Sequence, residues 1–230
     1  MSAGLLAGIG VTLLSVYDEG GCAHVHGITD EAYLVIEGSG ALELHDHTHG
    51  FRAVPLKAGS FVQFTPGTLH RAVNQGGLKV VCLMSNAGLA ERGDARIFFG
   101  PEVDADPTLY QSLWKLPAEK GMKGALERRD RSAAGYAQLL RLWESDRVAY
   151  RKRLEEFVAL HMMAIAELKP EFNSIVERGP ASWLDGALSR LGQLPDVVGG
   201  SDAMRGEADA GEQKLGMCGL LRPVHLTGSV

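Results

Sequence analysis

Cys22-Ala23-His24-Val25-His26-Gly27-Ile28-Thr29-Asp30-Glu31-Ala32-Tyr33 is the stretch on which the reading of this chain turns. His24 and His26 are two residues apart, so on a β-strand both imidazoles leave the same face. A short turn through Gly27 follows, and Glu31 begins the next strand, where its carboxylate can face the same interior. Far along the chain, Pro66-Gly67-Thr68-Leu69-His70-Arg71-Ala72-Val73-Asn74 brings a further imidazole. Neutral imidazoles with one carboxylate form a mixed nitrogen and oxygen set for a first-row divalent metal. A His-x-His pair alone reads as a surface or hydrogen-bonded pair, and Glu31 alone as a solvated turn residue. Taken with His70, they read as ligands.

The surroundings of this stretch are β-like. Val11 to Val16 alternates as a first strand, Tyr33 to Glu37 is closed by Gly38-Ser39-Gly40, and Ala41 to Leu44 follows. A polar hairpin tip lies at His45-Asp46-His47-Thr48-His49-Gly50. Phe51 to Leu56, Ser60 to Phe64, His70 to Val73 and Lys79 to Met84 continue the series. Short strands at near-even spacing, punctuated by Gly, Pro and Asn, suggest a sandwich or barrel over residues 1–100. His45, His47 and His49 form a second alternating histidine set, but its place at a hairpin tip points to solvated side chains.

The period changes after Pro101. Trp143, Tyr150, Leu154, Phe157, His161, Ile165 and Leu168 recur at helical steps, with His161 as a packing residue on the stripe. Pro170 closes that stretch, and Gly179-Pro180 opens another with Trp183, Leu184, Ala187, Leu188 and Leu191 on one face. A helical region over 101–195 is therefore expected, then a Gly-rich mobile tail over 196–230. Leu220 to Val230 is open between a returning strand and a segment that docks on a partner.

The segment resembles the cupin family. The family's first signature is His-x-His, three or four residues, Glu, six residues, Gly; this chain reads His24-Val25-His26, four residues, Glu31, six residues, Gly38. In the second signature Gly59, Gly67, His70 and Asn74 keep the family spacing. Two turn positions depart: Asp18 stands where a Gly is usual, and Pro66 sits one place late. The resemblance covers roughly the first hundred residues. It implies a double-stranded β-helix (a jelly-roll barrel) with His24, His26, Glu31 and His70 as metal ligands. It implies nothing for residues 101–230.

Composition sets the boundaries. The 230 residues carry a formal net charge of −5, so no global basic field exists to hold nucleic acid or an anionic membrane. From residue 101 onward Lys and Arg do not exceed Asp and Glu, which weakens a DNA-binding regulator reading. The three cysteines, Cys22, Cys82 and Cys218, are odd in number and widely spaced; with no membrane-spanning run, they fit a reducing cytoplasm. Cys82 reads as a buried structural thiol, and Cys22, beside the ligand strand, reads as an unlikely ligand.

Within the barrel Tyr33 shares parity with Glu31 and is expected to line the cavity, as pocket wall or as a proton-donating catalytic hydroxyl. Asn74 shares parity with His70 and reads equally as a pocket residue or a turn residue. Gln63 or Phe64 is expected to help close the pocket. An open divalent site can activate dioxygen, act as a Lewis acid or acidify bound water. The first reading is an oxygenase-type reaction on a small oxygen-containing molecule with Fe(II), and Mn, Ni, Zn or Cu as other candidate ions. A non-redox isomerase or lyase and a non-catalytic metal- or ligand-binding module are the alternatives. The apolar helical stripes are expected to pack on the barrel, cap one mouth or build a homodimer.

Overall fold

The structure, a computed structural model, describes residues 5–196, 203–209 and 214–229. Seven strands come first: β1 (Gly10–Val16), β2 (His24–His26), β3 (Glu31–Asp46), β4 (Gly50–Lys57), β5 (Phe61–Phe64), β6 (Leu69–Met84) and β7 (Ala95–Ile97). Six helices follow: α1 (Pro101–Asp104), α2 (Pro107–Trp114), α3 (Gly121–Ser145), α4 (Arg147–Ala166), α5 (Lys169–Val176) and α6 (Ser182–Gly192). Three late strands close the described chain: β8 (Met204–Ala208), β9 (Lys214–Leu215) and β10 (Gly219–Ser229).

The barrel is built by two long strands that serve both of its walls. The first part of β3 pairs with β5 and with the second part of β6, Leu34 standing opposite Phe61 and Val81. The second part of β3 pairs with β4 and with the first part of β6, Leu44 standing opposite Arg52 and His70. The expected break at Gly38-Ser39-Gly40 is instead a bend inside one strand, marked by register shifts between Val35 and Gly40. Gly38 adopts φ +76°, and a Cβ there would lie 2.3 Å from the Gly77 carbonyl oxygen. Glycine permits both the left-handed backbone and the close approach that turns the strand from one wall to the other.

Leu14, Val16, Tyr33, Val35, Leu42, Leu44, Leu56, Phe64, Ala72, Leu78, Val80, Cys82 and Cys218 fill the interior. Inward positions alternate with outward ones along each strand, as a half-buried sheet requires. Each large apolar side chain buried here contributes about 1.5–3 kcal/mol. Part of the segment expected as a mobile tail belongs to this barrel. β10 pairs antiparallel with β1, Leu14 opposite Leu221, and so supplies the neighbour that β1 would otherwise lack. The apolar run Leu220-Leu221 gives that segment the burial a tail would not have.

The helices cover one wall. Phe98, Tyr136, Leu139, Tyr150, Leu154 and Phe157 pack with Ala23, Val25 and Leu69 on the outer side of β2 and β6. The expected single stripe from Trp143 to Leu168 is divided: α3 ends before Asp146, whose carboxylate accepts the Val148 and Ala149 N–H groups and starts α4. An aspartate N-cap at this position outweighs continuation of the helix. Pro170, expected to close the stretch, lies in the first turn of α5. Among the described residues no helix is long and apolar enough to cross a membrane.

His45 departs from expectation. The turn between β3 and β4 is shorter than the polar run suggests, so His45 is still strand and fully buried beneath α3 and α4. Its Nδ1 is 2.9 Å from the Tyr150 hydroxyl and its Nε2 2.6 Å from the Tyr136 hydroxyl. Gly50 makes room for this docking, since a Cβ there would fall 2.1 Å from the Trp143 ring. His47 and His49 remain solvated, as expected; their side chains are 74% and 59% exposed.

Candidate metal centre

His24 and His70 stand opposite each other on β2 and β6. His26, two residues along β2, shares the His24 face, and Glu31 enters from the start of β3. The four side chains therefore converge: one donor atom from each lies within 4.8 Å of all the others. All four residues are buried, at 0 to 4% exposure.

His26 and His70 turn Nε2 toward Glu31, and the Nδ1 atoms of His24 and His70 are engaged behind them. His24 Nδ1 is 3.1 Å from the Cys22 carbonyl oxygen, and His70 Nδ1 is 3.1 Å from that of Thr68. His26 Nδ1 faces Asp94 Oδ2 at 3.5 Å. A neutral imidazole that donates through one nitrogen offers a lone pair on the other, the state a metal requires.

Glu31 Oε2 is 3.3 Å from His26 Nε2 and 3.1 Å from His70 Nε2. Despite these distances, Glu31 Oε2 and His70 Nε2 have no aligned hydrogen-bond partner, although both are wholly buried. Buried polar atoms are otherwise almost always paired. Unpaired donors converging on one point are the arrangement a shared cation would satisfy, and three imidazoles with a carboxylate suit a first-row divalent ion. The residues present fit a bound metal ion.

The electrostatics agree for His24 and Glu31, and His26 is the exception. For His24, burial and the neighbouring His70 and His26 imidazoles hold the pKa well below its ordinary value. Burial would lower His26 as well, but Asp94 and Glu31 outweigh it and raise its pKa to about 9. Burial would raise Glu31, yet His70 and His26 hold it well below the usual carboxylate range. Glu31 is thus a carboxylate anion at neutral pH.

The other expected site residues fall in different places. Tyr33 is buried beside the centre, with its hydroxyl 3.9 Å from Cys218 Sγ; burial, Cys218 and Glu31 hold its pKa well above the ordinary value. Asn74 does not face the centre. Its Nδ2 donates to the Val16 carbonyl, and its Oδ1 accepts the N–H groups of Gly76 and Leu78, which makes it a turn residue. Gln63 is exposed, and the neighbouring Phe64 points inward instead, its ring centroid 4.4 Å from that of His70. Strand parity near Pro66 resolves in favour of Phe64.

Three residues around the centre lie outside the ligand motif. Cys82 Sγ is 2.8 Å from Glu31 Oε1. Cys218 Sγ lies 3.7 Å from His24 Nδ1 and 4.0 Å from its Nε2. Asp94 stands behind His26. The parity of Cys82 with Val80 and Leu78 announced its burial; nothing local in the sequence announced Asp94 or Cys218. Cys22 packs among Ile97, Phe99, Val103 and Tyr110, away from the centre; it precedes β2, so the two-residue spacing from His24 does not hold it to the His24 face.

Residues 15–85 match the family model described as cupin domain. No curated protein matches the chain. Among solved structures, the Streptomyces protein PAC13 with uridine is 22% identical, with TM-score 0.33, over 40% of this chain and 68% of that one. A Klebsiella pneumoniae protein with a double-stranded β-helix domain is 23% identical, with TM-score 0.31, over 42% and 82%. A 3,4-ketoisomerase from Helicobacter canadensis is 15% identical, with TM-score 0.30, over 33% and 59%. Likeness at this level says nothing about substrate. The matched segment contains all four converging donors and the long strands β3 and β6 that position them, so this part of the chain is similar to a cupin domain, with a helical region after it.

Proposed function

We propose that the chain is a metal-dependent enzyme acting on a small oxygen-containing molecule, with one divalent transition-metal ion held by His24, His26, Glu31 and His70. The observation that carries this reading is the pair of wholly buried, unpaired donors, Glu31 Oε2 and His70 Nε2, aimed at a common point. A bound ion with open positions would polarise a substrate oxygen or bind dioxygen beside it. In the oxygenase-type form of the reading the ion is Fe(II). Tyr33, buried with its hydroxyl against Cys218 Sγ, is the candidate proton donor.

One observation favours the non-redox form, with Mn, Ni or Zn as Lewis acid. Cys82 and Cys218 bring two thiols against Glu31 and His24, oxidisable neighbours for a centre that handles dioxygen. Oxygen uptake by Fe(II)-loaded protein separates the forms: turnover that persists without oxygen selects the Lewis acid. Ligand binding without turnover would make the chain a binding module.

The metal reading is tested by elemental analysis of protein purified without added metal, beside His70→Ala. About one ion per chain is expected in the first and near none in the second; equal contents would overturn it. A small molecule, not nucleic acid, is the proposed partner, in keeping with the charge balance, and the three free cysteines support a cytoplasmic location. A homodimer is proposed from α6, whose Trp183, Leu184, Leu188 and Leu191 are all exposed. A helix of this length with no buried residue is marginal in water unless its apolar face finds a partner.

A further inference from the structure

Asp94 lies outside the matched segment and outside every motif, yet it is completely buried between the barrel and α4. Its Oδ1 accepts the N–H groups of Gly27 at 3.1 Å and Ile28 at 2.7 Å, and its Oδ2 accepts that of Thr29 at 3.1 Å. These three consecutive amides form the turn that leads from His26 to Glu31. The same Oδ2 faces His26 Nδ1 at 3.5 Å, longer than a formed hydrogen bond, and no other group bonds that nitrogen.

The helical region holds the Asp94 backbone from behind. His161, on α4, donates from Nε2 to the Asp94 carbonyl oxygen at 2.8 Å. Ile165, one turn further, closes over Gly27, where a Cβ would meet its Cδ1 at 2.4 Å.

We propose that Asp94 is a positioning residue of the metal centre: it orients His26 through Nδ1, fixes the turn between two ligands, and is itself kept in place by α4 through His161. The proposal rests on the reading of His24, His26, Glu31 and His70 as ligands. A carboxylate behind a ligating imidazole fixes the tautomer with the proton on Nδ1 and makes Nε2 a stronger donor. His24 and His70 have neutral backbone carbonyls in that position; His26 alone has a charge. Asparagine would keep the size of Asp94, but its amide group cannot accept from three backbone N–H groups and an imidazole N–H on two oxygens.

The test is Co(II) titration of the full chain, read as affinity and as the position of the visible d–d band, beside circular dichroism of the metal-free protein. Asp94→Asn is expected to weaken Co(II) binding by about 10- to 100-fold and to shift the band, with the fold retained. His161→Leu is expected to weaken binding by less, and His161→Gln, which keeps a donor, to recover it. Wild-type affinity and spectrum in Asp94→Asn would overturn the proposal while His26→Ala still loses the ion. Should His26→Ala itself bind Co(II) as the wild type does, the ligand reading fails instead. If Asp94→Asn does not fold, the His161 pair decides: unchanged affinity in His161→Leu overturns the role of α4 and the proposal with it.

Discussion

Cys82 Sγ and Glu31 Oε1 are 2.8 Å apart, whereas Glu31 Oε2 is the oxygen that faces His26 and His70. The thiol thereby divides the carboxylate into one oxygen bonded to the barrel wall and one free for an ion. Cys82→Ala should strand Oε1 in the interior, at a cost of about 1–3 kcal/mol in stability, and weaken metal binding by about tenfold. Cys82→Ser keeps a donor and should recover most of both. Urea denaturation and metal titration of the two variants check this; equal affinity in Cys82→Ala would show that Glu31 needs no such support.

Metal uptake should release a proton. Without an ion His26 is held protonated, its pKa raised to about 9 by Asp94 and Glu31; as a ligand it must be neutral. Near pH 7.5 about one proton per ion should appear in the buffer, and affinity should rise about tenfold per pH unit until His26 titrates. Calorimetry in buffers of different ionisation enthalpy measures this, and uptake without proton release would contradict it.

Acid sensitivity should depend on His45. Burial pushes its pKa down to about 3, whereas the unfolded residue protonates near 6.5. Between these values the unfolded chain binds the extra proton, so this contribution to stability is complete above pH 6.5 and falls as the pH falls. From pH 7.5 to 5 the loss from this residue is about 2 kcal/mol. His45→Gln should be less stable at pH 7.5 but show a shallower decline, read from urea midpoints at the two pH values. A parallel decline would assign the acid sensitivity to other groups.

The docking of α4 on β2 should dominate the stability of the helical region. Phe157 is fully buried, with its ring centroid 4.9 Å from that of Phe98. Phe157→Ala should cost about 3–5 kcal/mol. A thermal midpoint within a degree or two of wild type would mean that the helices contribute little to the barrel.

Leu188, by contrast, is 55% exposed on α6. Leu188→Glu should leave the unfolding free energy within about 0.5 kcal/mol at concentrations where the chain is monomeric. Sedimentation should show weaker self-association than wild type. A variant that associates as before would remove α6 from the dimer contact.

The legible parts of this protein were those coded by short-range pattern. Two-residue periodicity put His24 and His26 on one face, and the spacing to Glu31 and His70 marked the four donors that converge in the structure. Gly38 reads locally as a stop because glycine can end a strand or bend it; only its close approach to Gly77, on the other long strand, shows which. His45 looked solvated since its neighbours are polar, and the helices that bury it lie about 90 to 105 residues away. Asp94 and Cys218 belong to no periodic pattern at all, and their positions beside His26 and His24 are set by long-range pairing.

The last strand has a consequence for how the protein is made. Cys218, beside His24, leaves the ribosome about 150 residues after His70. At roughly 5–20 residues per second, the imidazole cluster therefore waits on the order of ten seconds with one side of its chamber still unsynthesised. During that interval the four side chains lack the neighbour that Cys218 supplies, and the segment leading into β10 completes their surroundings last.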